Sequence, residues 1–297
     1  MSRDLRSRLS RDDLNRLYTI ERKSLEDIAR SYGASRVAIW KYCKAERLIR
    51  RTRSEARLEA QKRGKVPQRF FDINDHFFSH WSPEMAYVLG LIVTDGCISK
   101  HGTVSLCIND KNLLEKVKKA MNSSHAIKYY GHQEGLYSFS FSREKICYDL
   151  GRLGVFPNKS LTIRFPDVPD VFLVDFIRGV FDGDGSVFFE KRSPKFPIRT
   201  SFISSSESFI KTLEAKLRSL SMPKRNVYHH KTKNAISYMI RYAHKDSLKL
   251  FGLFYNGKTL KKGLFLERKY SKFLSGMDRD RVDRIDGSIF DRAAKTA

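Results

Sequence analysis

The chain has 297 residues, 41% of them hydrophobic, with 57 lysines and arginines against 33 aspartates and glutamates. This length allows more than one domain, and the formal net charge of +24 favours a polyanionic partner. No apolar run reaches the roughly 18 residues of a membrane span, and residues 1–8 lack a signal-peptide core. We therefore expect an intracellular, non-secreted protein that uses no membrane. The cysteines form no Cys-x-x-Cys pair, which indicates reduced thiols rather than zinc or disulfide sites: Cys43, Cys97, Cys107 and Cys147.

Residues 1–53 are predicted to form a small helical domain. Arg11 to Glu21 has the spacing of an amphipathic helix, Ser24 and Asp27 form a variant capping box, and Ser35 is the next N-cap. Gly33 lies four positions after Ala29, and Ile39 lies six positions after Gly33, a spacing that resembles the helix-turn-helix. The alternative is a three-helix packing unit with no ligand. Residues 1–69 carry 20 basic and 9 acidic residues, a net charge of +11, which favours the nucleic-acid interpretation.

In the helix-turn-helix interpretation, the second helix enters the major groove of DNA. Arg36 near its start is the candidate for a base edge, because arginine bound to guanine is the commonest specific contact. Lys41 and Lys44 are expected to contact phosphates, which position the protein without reading sequence. The exposed side chains of this helix are predicted to be Ser35, Arg36, Trp40, Lys41 and Lys44.

Residues 54–80 are predicted to be a basic linker, partly helical, that either tracks a DNA backbone or is a solvated tether. An apolar run then extends from Ala86 to Asp95-Gly96, with Pro83 in the first turn of its predicted helix. A second apolar run extends from Phe176 to Asp184-Gly185. If both are helices, each carries small residues four apart on one face, which lets two backbones pack closely. These small residues are Ala86, Gly90 and Thr94 in the first run and Gly179 and Gly183 in the second.

Each run delivers an aspartate to its C-terminal end, and the glycine that follows is predicted to be a left-handed cap. A helix C-terminus is unfavourable for an acid, and a second carboxylate nearby makes it worse. A divalent cation between the two acids removes this conflict, and Mg²⁺ prefers such hard oxygen ligands. The alternative is that each aspartate simply helps the chain to turn.

The order of elements after the first run recurs after the second, and Asp184 lies 89 positions after Asp95. In each half we predict a helix, a strand pair, a helix, a hairpin and a helix, which is an α+β architecture of two pseudo-twofold-related αββαββα subdomains forming a basic saddle. The subdomains are predicted at residues 81–163 and 164–276, and residues 277–297 are a charged, peripheral tail.

These paired stretches resemble the two motifs of single-chain LAGLIDADG homing endonucleases, over about residues 81–276. The resemblance implies a monomeric, site-specific endonuclease that makes double-strand breaks with short 3′ overhangs in DNA with a long recognition site, as in intron homing. It implies divalent metal ions, Mg²⁺ or Mn²⁺, held by Asp95 and Asp184, with the carbonyls of Thr94 and Gly183 as secondary ligands. An acid often found two residues before the catalytic one is replaced by Val93 in the first copy but present as Asp182 in the second. That position is variable in the family.

The family also places a basic residue near the scissile phosphate. A repeated segment makes Lys159 and Lys258 our candidates, with Lys269 as an alternative in the second half, although a loop lysine is more often merely solvated. Thr200, Ser201, His229 and His230 are further candidates for base contacts. The saddle residues expected to contact DNA, each of which could instead be a plain surface charge, are Lys128, Lys191, Arg192, Arg199, Arg225, Lys231, Lys233 and Arg241.

A second function remains open on the same architecture, because degenerate relatives act as transcription regulators and others as intron-splicing maturases with an RNA partner. Binding alone does not require both acids. The presence of Asp95 and Asp184 together favours cleavage.

Overall fold

A computed structural model describes residues 3–49, 51–65, 71–130, 135–190, 197–231 and 236–277. The chain divides into two compact units, Met1–Phe70 and Phe71–Ala297. Three of the basic residues predicted to contact DNA, Lys191, Arg192 and Lys233, lie outside the described residues, as does residue 278 onward of the predicted tail. No helix in the described ranges is long and apolar enough to cross a membrane.

The first unit is helical. The single helix predicted from Arg11 to Glu21 is instead a short α-helix continued by a π-helical turn over Arg16–Ile20. The capping box at Ser24 is present: its hydroxyl accepts from the Asp27 amide at 3.1 Å, and the Asp27 carboxylate accepts from the Ser24 amide at 3.4 Å. The α-helices are α1 (Arg3–Arg8), α2 (Arg11–Asn15), α3 (Leu25–Ser31), α4 (Arg36–Ala45) and α5 (Arg53–Lys62).

The three residues whose spacing suggested a helix-turn-helix have the expected environments. Ala29 on α3 and Ile39 on α4 are buried, and Gly33 between the helices has φ +58°, a conformation that favours glycine. The unit also extends past residue 53, because α5 falls within the predicted linker and is joined to the preceding helices by charged contacts. Arg63 donates to the Glu21 carbonyl, and Lys65 pairs with Asp27.

The second unit holds two four-stranded antiparallel sheets with the same arrangement. The first has the order β1-β2-β4-β3 and the second β5-β6-β8-β7. The strands are β1 (Gly96–Ile98), β2 (Thr103–Ile108), β3 (Ile127–Tyr130), β4 (Leu136–Ser142), β5 (Ser186–Phe189), β6 (Ile198–Ser204), β7 (Tyr228–Lys231) and β8 (Ile236–Tyr242). The helices are α6 (Pro83–Asp95), α7 (Lys111–Ala120), α8 (Glu144–Arg152), α9 (Asp170–Asp184), α10 (Glu207–Ser219), α11 (His244–Phe254), α12 (Gly257–Lys262) and α13 (267–277), with a 3₁₀ turn at Lys159–Leu161.

One face of each sheet is covered by helices and the other is not. In the first sheet Val104 and Leu106 on β2 and Phe139 on β4 are buried on the helix side. In the second sheet, Ile198 and Phe202 on β6 are likewise buried on the helix side. Because side chains alternate along a strand, the residues between them lie on the opposite, open face. This alternation makes each sheet a surface with an apolar side and a polar side.

Candidate active site

The two apolar runs form the paired helices α6 and α9. The hydroxyl of Ser82 accepts from the Met85 amide at 3.1 Å, and Pro83 occupies the first turn of α6, where its missing N–H costs nothing. All nine residues from Met85 to Val93 are buried, so α6 is a core helix on every side. A helix of this kind is stabilised mainly by what packs around it.

The backbones of α6 and α9 touch at Gly90 and Gly179. A Cβ atom on Gly90 would lie 2.4 Å from the Phe176 carbonyl oxygen, and one on Gly179 would lie 2.1 Å from the Tyr87 carbonyl oxygen. Both distances are below any real carbon contact, so neither position accepts a side chain unless the helices separate. The small-residue faces recognised in the sequence therefore meet each other.

The glycines that follow the two helices do not act as predicted. Gly96 has φ −81° and Gly185 has φ −75°, so both are extended rather than left-handed. Both positions exclude a side chain for a steric reason instead. A Cβ on Gly96 or Gly185 would lie 2.5 Å from the carbonyl oxygen of Ile92 or Phe181, respectively, in the preceding helical turn. The chain leaves each helix directly into a strand, β1 or β5, and this sharp exit leaves no space for a side chain.

Asp95 and Asp184 are the last residues of the two helices and are both partly buried. A Cβ on Gly183 would lie 2.9 Å from Oδ2 of Asp95, so the Asp95 carboxylate lies against the last turn of α9. Burial, followed by repulsion from Asp184, raises the pKa of Asp95 to about 6. Burial also raises the pKa of Asp184, against the attraction of Lys269 and Lys159. The fold thus brings two carboxylates together, and Asp184 adds to the burial that destabilises the ionised form of Asp95.

Two buried lysines accompany these acids, one at the end of each helix. The Lys159 ammonium donates to the Gly96 carbonyl at 2.5 Å, and burial lowers its pKa against the opposing charges of Cys97, Asp184 and Asp95. Lys269 on α13 donates to the carbonyls of Phe181, of Asp182 at 2.9 Å and of Gly183 at 3.4 Å. Burial lowers the pKa of Lys269 to about 8, against the attraction of Asp182. Each lysine therefore binds carbonyls at the negative end of a motif helix.

The prediction for Lys258 is wrong in its location. Lys258 is exposed and lines a cavity with Pro83 and Glu84, at the start of α6. That end of a 13-residue helix is about 18 Å from its C-terminal aspartate. The repeated segment aligns Lys258 with Lys159, but the second copy continues into α12, and Lys269 occupies the place beside the acids.

One sequence signal could have identified Lys269 as the partner of Lys159. Leu266, Lys269 and Phe273 recur at helical spacing, and all three are buried. A lysine on the apolar face of a helix needs a partner for its charge. The neighbouring charges of Glu267 and Arg268 hide this pattern in a linear reading.

The donor set at the end of the helix pair fits a hard divalent cation. It offers the carboxylates of Asp95 and Asp184, and the carbonyls of Thr94 and Gly183 are adjacent in the chain; the Thr94 hydroxyl itself donates to the Gly90 and Leu91 carbonyls. In the ranges that the structure describes, no cluster of three or more His, Cys, Asp or Glu side chains forms a closed metal cage. Mg²⁺ commonly binds through one or two carboxylates plus waters and phosphate oxygens, so two acids suffice when a phosphate is present.

Asp182, the extra acid of the second copy, has a separate role. Its Oδ2 accepts from the Tyr87 hydroxyl at 2.7 Å and from the Leu266 amide at 2.9 Å, and burial raises its pKa. Asp182 therefore ties α9 to α6 and to the segment before α13. Tyr87, which sequence reasoning did not single out, is fully buried in this link.

The predicted DNA-contacting residues fall into two groups. Arg199 is held by Glu190, Arg225 is held by Asp246, and Thr200 is buried against Ser247 at 3.0 Å on the helix side of its sheet. Thr200 therefore cannot read bases from the open face. Ser201, which pairs with Arg241 across β6 and β8, is also buried. The remaining described candidates of the sheets and α4 are exposed: Ser35, Arg36, Lys41, Lys44, Lys128, His229, His230, Lys231 and Arg241.

The second copy of the repeat corresponds to a known family. Residues 172–252 match the family model of a LAGLIDADG-like domain. The match spans from α9 to α11 and includes Asp184. A search of curated proteins found no match.

Among solved structures, the chain is similar to the homing endonuclease I-DmoI in complex with DNA and Mn. The two share 16% identity over 61% of this chain and 97% of that one, with a TM-score of 0.39. The chain is also similar to full-length DUF199/WhiA from Thermatoga maritima, with 14% identity over 75% of this chain and 72% of that one, and a TM-score of 0.43. The N-terminal LAGLIDADG domain of DUF199/WhiA gives 17% identity over 72% and 98%, and a TM-score of 0.40. At these levels of similarity, function has to be inferred from the chain's own residues.

Proposed function

We propose that this protein is a site-specific double-strand DNA endonuclease that depends on Mg²⁺ or Mn²⁺. The observation that supports the proposal is the pair of partly buried carboxylates, Asp95 and Asp184, at the ends of two helices in backbone contact. Burial and repulsion raise the pKa of Asp95, and a cation bound between the two acids would offset this repulsion. The net charge of +24 supplies the attraction for a polyanionic substrate.

In this proposal Asp95 and Asp184 hold the metal, with the carbonyls of Thr94 and Gly183 as further oxygen donors. The bound cation would supply charge neutralisation at the phosphate and a more acidic water for the attack. Lys159 and Lys269 stay oriented by their bonds to the Gly96 carbonyl and to the α9 carbonyls. Each lysine places a positive charge next to one acid, where a phosphate oxygen of the substrate would dock.

One observation favours a second function, that of a DNA-binding regulator that does not cleave. Two lysines lie next to two aspartates in the site, so the four charges can compensate one another without a metal ion. In a regulator, Lys159 and Lys269 would be structural caps of the helices. Such a protein would use the sheets and the first unit for binding only.

The first unit is proposed to act as a helix-turn-helix in either function. Ser35, Arg36, Lys41 and Lys44 are exposed along α4, while Ile39 on the same helix is buried. An exposed basic helix face opposite an apolar anchor is what major-groove binding requires. We further propose that the chain acts as a monomer, because both acids come from one chain; analytical ultracentrifugation with and without DNA tests this.

Digestion of a plasmid library with randomised inserts in the presence of Mg²⁺ tests the proposed function. We expect linear product from a subset of inserts, and loss of double-strand cutting but not of DNA binding in Asp95→Asn and Asp184→Asn. Asp170→Asn is the matched control, since Asp170 is the first residue of α9 and Asp184 the last. Tight, sequence-specific binding with no cut in any insert would instead establish the regulator.

A further inference from the structure

The open faces of the two sheets differ in chemistry. On the first sheet, strand pairing places Ser105 beside Ser140 and Cys107 beside Ser138 on the face away from the helices. The serine hydroxyls hydrogen-bond to one another: Ser140 donates to Ser105 at 2.9 Å, and Ser138 and Ser140 are joined by a hydrogen bond of 2.8 Å. Lys128 on β3 is the cation that the described strands of this sheet place on the same face.

The open face of the second sheet is lined by cations and aromatic rings instead. Pairing puts Arg199 opposite Phe188, and Arg241 opposite Ser201, with Met239 two residues from Arg241 on the same face. A cavity of about 500 Å³ lies at this face. Its lining includes Phe188, Arg199, Tyr228, His230 and Arg241 on the strands and Glu190 just after β5.

The two arginines that line this cavity, Arg199 and Arg241, have different polar partners. Glu190 accepts from Arg199 at both Nε (2.8 Å) and Nη2 (2.6 Å), which fixes the guanidinium plane and leaves the Nη1 end turned away from the carboxylate. Arg241 is exposed; its Nε lies 2.9 Å from the Met239 sulfur, and within the described part of the chain it has no carboxylate partner. Arginine binds the O6 and N7 atoms of guanine through two donors. An oriented arginine loses less conformational entropy when it does so.

We infer that the open face of the second sheet is the main base-reading site and prefers guanine, whereas the first sheet contributes mostly sequence-independent contacts. The inference rests on the proposed binding of duplex DNA, but not on cleavage. Serines that already bond to one another, and a single lysine, distinguish bases weakly. Two arginines in one groove distinguish them strongly. Sequence preference is therefore concentrated in the half of the target that faces β5 to β8.

Selection of bound duplexes from a randomised DNA pool tests this with the full chain. The wild-type protein should select guanines at one or two neighbouring positions in one half of its target. Arg241→Ala and Arg199→Ala should each flatten the preference at such a position, by about tenfold or more. Glu190→Gln should weaken the Arg199 preference while leaving the Arg241 preference in place.

Lys128→Ala is the matched control, a cation removed from the open face of the other sheet. It should lower the affinity for all sequences alike and reduce the salt dependence of binding. An iron-chelate cleavage probe attached through His230→Cys or Lys128→Cys, with Cys97→Ser to remove an exposed native thiol, marks the half that each sheet faces.

Equal preference in both halves, or stronger preference opposite the first sheet, would overturn the inference. So would Arg241→Ala lowering affinity equally for every sequence. Failure to bind any duplex would instead overturn the proposed function itself. Binding that is specific but spread over both halves leaves the proposed function standing and removes only this inference.

Discussion

In the folded chain without metal, Asp95 keeps its proton to a higher pH than an ordinary aspartate does. Its pKa rises to about 6 from a usual value of 3.8, first through burial and then through Asp184. The folded state therefore binds more protons than the unfolded state between these two values. The stability that this group contributes is complete below about pH 3.8 and is lost as the pH rises through about 6.

Replacing this carboxylate with a neutral amide should stabilise the metal-free protein at neutral pH. In EDTA at pH 8, we expect Asp95→Asn to raise the free energy of unfolding by about 1–3 kcal/mol, because the amide carries no buried charge. The difference should vanish near pH 4, where Asp95 itself is largely neutral. Thermal unfolding from pH 4 to 8 measures the trend.

Asp149→Asn provides a control of opposite sign for this experiment. Burial raises the pKa of Asp149, but hydrogen bonds from Lys145 and Ser79 lower it by a larger amount. The net pKa therefore lies below its usual value. Asp149→Asn should therefore destabilise the protein at pH 8, with a smaller loss as the acid range is approached. If both substitutions stabilised the protein at pH 8, the effect of Asp95→Asn could not be attributed to the burial of Asp95 and its repulsion by Asp184.

Substitutions of Lys269 and Lys258 test which lysine of the second copy acts beside the acids. The structure places Lys269 there, whereas the sequence repeat predicts Lys258. Under the proposed nuclease function, Lys269→Met should reduce double-strand cleavage by about 100-fold or leave nicked circles, because a charge beside Asp184 is lost. Lys258→Met should cleave like the wild-type protein, since Lys258 lies at the opposite end of α6. Gel analysis of supercoiled, nicked and linear plasmid measures both.

A fold check is needed for Lys269→Met, because the residue is buried. Circular dichroism and DNA affinity should remain close to those of the wild-type protein, since Met fills a similar volume. If Lys258→Met loses cleavage and Lys269→Met retains it, the assignment from the structure is wrong.

At the level of elements, the contact between α6 and α9 is the feature on which the site depends. Both helices are buried on nearly every side, and they meet through Gly90 and Gly179 rather than through side chains. Close backbone contact fixes the separation of the two helix ends, and with it the separation of Asp95 and Asp184. Asp182 and Tyr87 add a buried hydrogen bond across the same contact.

Widening this contact should destabilise the protein and disrupt the site together. We expect Gly179→Ala to lower the free energy of unfolding by about 2 kcal/mol or more, because its methyl group would be 2.1 Å from the Tyr87 carbonyl oxygen. Urea unfolding measures this change, and Mg²⁺-dependent protection against unfolding should also weaken.

Gly252 on α11 is the matched control, since no atom lies within 4 Å of the position that its Cβ would take. Gly252→Ala should raise the free energy of unfolding by about 0.5–1 kcal/mol, because alanine is the better helix former. Equal effects of the two substitutions would mean that the helices are not in backbone contact.

At the level of the whole molecule, the described residues form two separate hydrophobic cores. The first unit has its own core, which includes Leu14, Ile28 and Ile39, and the second unit has a larger one. Residues 1–69 contribute +11 of the formal net charge of +24. Because each unit has its own core, we expect each to fold on its own.

Deletion of residues 1–70 tests how the two units share DNA binding. We expect the remaining chain to fold and to cut at the same position. Its affinity should fall by about tenfold or more at physiological salt, with a shallower dependence of log K on log salt, because fewer phosphates are neutralised. A shift of the cut position, or an unchanged salt slope, would contradict this division.

Patterns among neighbouring residues were enough to predict much of the local structure and the pair of acids. Helix and strand positions in the second unit follow from hydrophobic periodicity and from N-caps, and these are interactions between residues close in the chain. The small residues of α6 and α9 could be recognised because a helix places them on one face. Repetition of the Asp-Gly ending then predicted which carboxylates would meet.

The groups that surround those acids depend on how distant elements of the chain pack together. Lys269 lies 85 residues after Asp184 in the chain. Its helical spacing marks it as a buried lysine, but its place beside the acids depends on how α13 packs against α9. The glycines after the helices are extended because of the exit into each strand, although their sequence also suits a left-handed cap. Arg199 and Arg225 were predicted to contact DNA, and in the fold they pair with Glu190 and Asp246. In each case the deciding interaction joins residues that only the packing of distant elements brings together.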